Sequence, residues 1–203
     1  MRTDFPDKLR FRDLLDTAPS ASYFSALPDL ETPRLLLRKM RLRDASDVFA
    51  YASDPQVARY VLWDAHQSIR DTRGYIRSMR RQYRLGLPAS WAVVLKENNT
   101  VIGSIGYMWL SPENRSAEVG YSFSREYWNR GLATEALGAV LQSAFQQLGL
   151  HRVEAQHDLR NPASGRVMQK CGMRQEGVLR SRIYNKGEYV DIALWAILRE
   201  DVQ

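Results

Sequence analysis

The sequence predicts an α/β (α+β) fold: a mixed, mostly antiparallel central sheet of about seven strands flanked by about four helices. Three observations carry this. Three strand-like segments follow one another across short polar turns, which is the pattern of an antiparallel meander. Two more strands flank Asn185-Lys-Gly187, a hairpin signal. Segments of helical periodicity lie before the meander and again between it and the hairpin, so the helices must cover the faces of the sheet.

Taken in order, Arg34-Leu35-Leu36-Leu37-Arg38 reads as a strand, and Asp44 is placed to cap a helix through Val48, Phe49 and Tyr51. Pro55 ends or kinks that helix. A second helix runs from about Ile69 to Leu85, with Asp71 near its start and Gly86 after its end. The meander comprises Trp91 to Leu95, Val101 to Leu110 and Ala117 to Ser124. A long helix then opens within Glu126 to Ala136. Its apolar stripe is Leu132, Ala136, Val140, Ala144 and Leu148, and Gly149 is its stop. Arg152 to His157 is a short strand. Asn161 and Pro162 open a short helix that ends at Gly172, and Gly177 to Tyr184 and Glu188 to Ile197 form the closing strands.

The 203 residues suit one domain of moderate size, and 44% hydrophobic with 26% charged residues is a globular composition. The boundary falls near Leu30. Residues 1–29 read as an N-terminal extension, in which Leu9, Phe11, Leu14 and Leu15 suggest a short helix or a packing arm, and residues 30–203 read as the main domain. No window is apolar for long enough to span a membrane, and the N-terminus lacks the apolar run of a secretory signal, so a cytoplasmic location is expected. The lone Cys171 and three scattered His give no metal-ligand spacing, and no metal is expected.

Chemistry concentrates at Arg130-Gly131-Leu132-Ala133. A loop with Gly131 leads straight into the long helix, so several N–H groups without intrahelical partners point outward from a terminus that attracts anions, pyrophosphate in particular. Neither a Walker A loop nor GxGxxG is present.

The wider stretch Ala117-Glu-Val-Gly-Tyr-Ser-Phe-Ser-Arg-Glu-Tyr-Trp-Asn-Arg-Gly-Leu-Ala-Thr-Glu-Ala136 resembles the acetyl-CoA-binding core of the GNAT N-acetyltransferase superfamily, above all its ribosomal-protein (RimJ/RimL-like) branch. A second patch, Asn161-Pro-Ala-Ser-Gly-Arg-Val-Met-Gln-Lys-Cys-Gly-Met173, matches as well, and the resemblance spans Glu31 to about Val202. Within the family pattern Q/R-x-x-G-x-G/A, Gly131 and Ala133 take the small positions, while Trp128 stands where Gln or Arg is usual.

The resemblance implies transfer of an acetyl group from acetyl-CoA to a primary amine, either a protein N-terminus or a small amine, by direct attack through a tetrahedral intermediate. The amides of Arg130, Gly131, Leu132 and Ala133, with Thr134 next in the turn, would hold the pyrophosphate. Glu118 becomes the candidate base, acting through water, with a solvent-facing strand carboxylate as its plain alternative. Val119, Gly120 and Tyr121 offer candidate oxyanion amides, and Gly120 in a strand interior is consistent with a bulge. Asn161 would contact the pantetheine arm besides serving as an ordinary cap. Many family members carry a Tyr where this chain has Met168, which has no proton to give. Ser164 is therefore the candidate acid or sulfur hydrogen-bond donor, or else simply a hydroxyl in the first turn of a helix.

Tyr60, Trp63 and His66 fall where this family borders its acceptor site, and either wall that site or belong to the core. The +6 charge has a location. Arg70, Arg73, Arg77, Arg80, Arg81 and Arg84 oppose only Asp71, and Arg73, Arg77, Arg80 and Arg84 share one helix face, which makes Arg77 a candidate substrate contact. Such a face is either merely solvated or recognises an acidic acceptor or RNA phosphates. Two other readings stay open: an acyl-CoA-binding sensor with weak or no catalysis, and an RNA- or ribosome-associated protein. Monomer and homodimer are equally compatible with the sequence.

Overall fold

Small and apolar residues after Pro19 form a first helix in the computed structural model, which describes residues 19–202. The expected helix or arm around Leu9 to Leu15 lies outside the described residues. The elements are α1 (Pro19–Ala26), β1 (Leu30–Glu31), β2 (Leu35–Lys39), α2 (Ala45–Ala52), α3 (Pro55–Ala58), α4 (Ile69–Leu85), β3 (Ser90–Leu95), β4 (Thr100–Ser111), β5 (Ser116–Phe123), α5 (Leu132–Gln146), β6 (Arg152–Asp158), α6 (Pro162–Lys170), β7 (Arg174–Asn185) and β8 (Glu188–Leu198). They build one sheet in the order β1-β2-β3-β4-β5-β6-β8-β7. Every neighbouring pair is antiparallel except β5 and β6, which run parallel.

The seven expected strands and four expected helices are all present. The eighth strand, β1, has two residues, and the added helices are α1 and the four-residue α3, each too short to show a period. None of the helices among the described residues is long and apolar enough to cross a membrane.

β3 shows how the sheet is covered. Trp91, Val93 and Leu95 join one core with Leu132, Leu137, Val140 and Ala144 of α5, and Phe24 and Leu27 lie in that same core. Ala92 and Val94 face the other way into a second core with Val48, Tyr51 and Ala52 of α2 and Ile76 of α4. An apolar run without alternation therefore means a strand buried on both faces. α4 follows its sequence signals from end to end: Ser68 and Asp71 form a capping box, and Gly86 closes the helix at φ +64°. α5 ends at Gln146, so Leu148 lies beyond the helix, and Gly149 takes its left-handed conformation (φ +66°) in the loop. The closing hairpin turns through Lys186 and Gly187, both at positive φ.

Asp44 departs from expectation. It stands at the N-terminus of α2 but makes no capping bond there, because its carboxylate is committed elsewhere. Arg38 of β2 is 6% exposed and donates to it from both terminal nitrogens, at 2.7 and 2.9 Å, while the Arg41 N–H donates at 2.7 Å. A guanidinium buried in a strand needs an equally buried counter-charge, and that demand outranks the cap. Removing Asp44 would leave the guanidinium unpaired. Asp44→Ala should therefore lower the unfolding free energy by about 3–5 kcal/mol in urea denaturation. A loss near that of an ordinary exposed cap, about 1 kcal/mol, would show that the pair is dispensable.

Candidate active site

The one parallel pair of strands does not stay paired. β5 and β6 are in register only from Ser116 to Glu118 against Arg152 to Glu154. Beyond that point β5 continues to Phe123 on β4, and β6 continues to Asp158 on β8. The β6-side edge of β5 from Val119 to Phe123 is thus left open on a cleft, and because successive strand amides point to opposite edges, only alternate members of the candidates Val119, Gly120 and Tyr121 direct their N–H there, the others facing β4. The bulge suggested by Gly120 sits instead on the neighbouring strand. Tyr107 opposes Val119 and Trp109 opposes Glu118, leaving Met108 as the extra residue of β4. Gly120 pairs regularly with Gly106, and a Cβ on Gly120 would lie 3.1 Å from the Met108 sulfur, so the missing side chain makes room for the displaced methionine.

Glu118 stands at the point of divergence and is clamped from both sides. The Trp109 indole Nε1–H donates to Oε2 at 2.7 Å and the Gln156 amide donates to Oε1 at 2.9 Å. Burial pushes its carboxyl above the ordinary value of 4.5, with the two hydrogen bonds pulling the other way and neighbouring Glu154 adding to the rise. Neither clamp was found from sequence. Trp109 was within reach: the turn between β4 and β5 pairs Ser111 with Ser116, and counting back brings Trp109 opposite Glu118. Gln156 depends on the parallel register, which no local signal gives.

At the wide end of the cleft, Asn129 (φ +59°) and Gly131 (φ +74°) both take the left-handed conformation, and the chain enters α5. Gly131 stands in the cap position with no side chain, and the first helical bond runs from the Glu135 N–H to its carbonyl at 3.0 Å. The N–H groups of Leu132, Ala133 and Thr134 precede that bond and point out of the helix start. They fit an anionic group, a pyrophosphate included. Three further contacts hold the loop. The Trp128 indole donates to the Phe123 carbonyl at 2.8 Å, the Arg130 guanidinium lies 5.2 Å from the centre of the Tyr127 ring, and Arg34 donates to the Arg130 carbonyl at 2.9 Å. Trp128 thus braces the loop with its own ring nitrogen.

A carboxylate in the first turn of α5 would oppose an incoming anion, but Glu135 is already occupied. Arg34 donates to it at 2.6 Å from the side chain and 2.9 Å from the backbone, and the Thr32 hydroxyl donates at 2.6 Å. Burial alone would raise this carboxyl, but the hydrogen bonds from Thr32 and Arg34 outweigh it and hold it below its ordinary value. Sequence reasoning passed over both Arg34 and Glu135.

Across the cleft is α6. Asn161 starts it with no side-chain cap, its carbonyl accepting from the Ser164 N–H at 3.1 Å, so its amide side chain makes none of the bonds an ordinary cap would. Ser164 meets β5: its Oγ lies 2.9 Å from the Tyr121 hydroxyl, which also donates to the Ser164 carbonyl at 3.0 Å. Burial raises the Tyr121 phenol, so it stays protonated. Met168 is 1% exposed and packs in the main core, away from the cleft. His157 rests against Gly165, where a Cβ would come within 2.7 Å of its ring, and its Nδ1 lies 2.8 Å from the Asp158 carbonyl. The half-buried Cys171 thiol donates to the Thr134 carbonyl at 3.3 Å, and burial pushes it up to about 11.

The segment between α2 and α4 reaches the ends of both diverging strands. Asp54 pairs with Arg125 just past β5 at 2.9 Å. Tyr60 lies under Arg160 just past β6, and the Val61 carbonyl accepts from Lys186 and Asn185 of the closing hairpin. Trp63, His66 and Tyr75 form a tilted aromatic row beside it, with His66 Nδ1 2.8 Å from the Thr72 hydroxyl. Arg77 is not brought to this place. It lines a cavity with Ser25, Lys39, Met40, Leu42, Arg80, Tyr83 and Arg84, to which no residue around Glu118 contributes.

The chain is similar to several known proteins. Residues 34–174 match a family model described as an acetyltransferase (GNAT) domain. An uncharacterized N-acetyltransferase of Bacillus subtilis, YoaA, is 34% identical over 172 residues, which cover 85% of this chain and 97% of that protein. The ribosomal-protein-serine acetyltransferase of Escherichia coli is 28% identical over 130 residues, covering 64% of this chain and 72% of that protein. A solved acetyltransferase of the GNAT family from Bacillus anthracis superposes with a TM-score of 0.76 at 33% identity, covering 85% of this chain and 99% of that one. With a family model matching residues 34–174 and a relative 34% identical along nearly its whole length, this chain belongs to the GNAT family of acetyltransferases.

Proposed function

We propose that the protein transfers an acetyl group from acetyl-CoA to a primary amine, and that a protein N-terminus, such as that of a ribosomal protein, is its acceptor. The observation that carries the reading is the clamped Glu118 at the point where β5 leaves β6. The relation to a ribosomal-protein-serine acetyltransferase supports the choice of acceptor. We assign catalysis to residues 30–203, with Phe24 and Leu27 of the preceding segment closing the core.

Acetyl-CoA supplies an activated thioester carbonyl. In this reading the amides of Leu132, Ala133 and Thr134, with Arg130 and Gly131, hold its pyrophosphate, and Asn161 steadies the pantetheine arm. Glu118 takes the ammonium proton of the acceptor through water. A backbone N–H among Val119, Gly120 and Tyr121 meets the charge developing on the thioester oxygen. Ser164, backed by the Tyr121 phenol, donates a hydrogen bond or a proton to the departing sulfur. Tyr60 and Trp63 border the acceptor.

Gln at position 118 can still accept from the Trp109 indole, and its amide can donate to a turned Gln156, so Glu118→Gln removes the base without opening the clamp. It should lower kcat by about a hundredfold or more, measured as free thiol released from acetyl-CoA, with acetyl-CoA affinity unchanged. Wild-type turnover would refute the base assignment.

A raised Glu118 pKa fixes the sign of the pH profile. The base works as carboxylate, so activity falls as pH falls through a value above 4.5. Trp109→Phe removes a donor to the charged form and should move that limb to still higher pH. An unmoved limb would place the titrating base elsewhere.

Ser164→Ala should cost more turnover than Tyr121→Phe if the serine faces the sulfur and the phenol only backs it. The reverse ranking, read from kcat at saturating acetyl-CoA, would make Tyr121 the donor.

A further inference from the structure

Most of the well-buried or structurally engaged arginines of the chain are matched to acids. Arg34 pairs with Glu135, Arg38 with Asp44, Arg125 with Asp54, and Arg152 and Arg160 each with two acids. Five of the arginines without an ion pair gather in one place. Two adjoining cavities, of about 550 and 460 Å³, share Met40, Leu42 and Arg80 as walls. Arg77 and Arg84 of α4 line the first, and Arg41 and Arg43, just past β2, line the second. Among the described residues these five arginines have no salt bridge, and no acidic residue lines either cavity. Only Arg84 lies in the last turn of α4, so compensation of the helix dipole accounts for one of them at most.

We infer that this groove is a docking site for the phosphodiester backbone of a single-stranded RNA segment, separate from the acetyl-transfer cleft. Arg77, Arg80 and Arg84 lie along one face of α4, spanning about 10 Å of helix, room for about three phosphates of a stacked strand. Arg41 and Arg43 continue the row on the opposite wall. A peptide partner would need a free strand edge or apolar pockets. β3 pairs with β2 along its whole length, Met40 is 2% exposed, and Leu42, 40% exposed, is the one exposed large apolar side chain on the walls, against five guanidinium groups and Lys39, so charge dominates what the groove presents. Planar guanidinium donors match phosphate oxygens in pairs, and the absence of a base-reading surface points to binding without sequence preference.

The test is fluorescence anisotropy of a labelled single-stranded RNA titrated with the full chain, in saturating CoA so that the helix start of α5 is occupied. Five phosphate contacts predict a slope of log K against log salt of about −3.5, at about −0.7 per contact on a single strand. Replacing Arg43, Arg80 and Arg84 together by Gln should weaken binding by at least about tenfold and bring the slope to about −1.4, while thermal melting and CoA binding hold. The variant Arg180→Gln/Arg182→Gln, on exposed β7, removes charge away from the groove and should leave RNA binding intact. The inference is overturned if the triple variant binds as the wild type does or if the β7 variant weakens binding equally. It is also overturned if a polyglutamate peptide competes as well as unlabelled RNA, because the groove would then be an acidic-peptide site. Should the triple variant melt early, the single change Arg80→Gln, in the residue common to both cavities, must lower the slope by about one contact or the inference fails.

Discussion

The rest of the site depends on the single parallel pair in an otherwise antiparallel sheet. Antiparallel neighbours can be joined by tight turns, but β5 and β6 need a crossover, and α5 is that crossover. A crossover helix must begin where the first strand ends. The N-terminus of α5, with its unpaired amides, is thereby delivered to the same end of the sheet as the last residues of β5. The end of β6 leads into α6 at that end too, so Ser164 arrives opposite Tyr121. Because the pairing stops at Glu118, those two helix starts and the carboxylate border one opening.

The arrangement of charge follows from the same architecture. Arg38 and Asp44 join the end of β2 to the start of α2 inside the second core, and Arg34 and Thr32 tie β2's approach to the first turn of α5. Both neutralisations stiffen the scaffold, and the second also keeps an unpaired carboxylate from standing beside the open amides at the start of α5. Of the arginines left without such a pair, five line the groove between α4 and the turn after β2.

Much of the fold was legible because its elements carry complete local signals. α4 has a start, a stop and a strongly amphipathic face, and the hairpin at Lys186-Gly187 has at Gly187 the residue its positive φ favours. What stayed hidden depends on partners distant in sequence. Asp44 reads as a cap until Arg38 is seen beside it, and β1 exists only because Leu30 and Glu31 find Leu37 and Leu36. Within the candidate site, Gly131 and Asn161 were readable as helix starts. The clamp on Glu118 was only half readable, through the turn that sets Trp109 opposite it, because Gln156 comes from a strand placed by the crossover.

Met168 illustrates why a single missing residue is a weak argument against catalysis. Its position on α6 points into the main core beside α5, where a methionine fills space well. A tyrosine there would have to leave that core to reach the cleft. In this chain a phenol comes from the opposite wall, since Tyr121 of β5 reaches across to Ser164. Burial keeps that phenol protonated, and with its one proton on the Ser164 carbonyl its oxygen accepts from the Ser164 hydroxyl. The proton source that the resemblance left unfilled at position 168 is therefore best sought in the pair of hydroxyls that bridges the two sides of the opening. This is also why the relative cost of Ser164→Ala and Tyr121→Phe bears on chemistry as well as on packing.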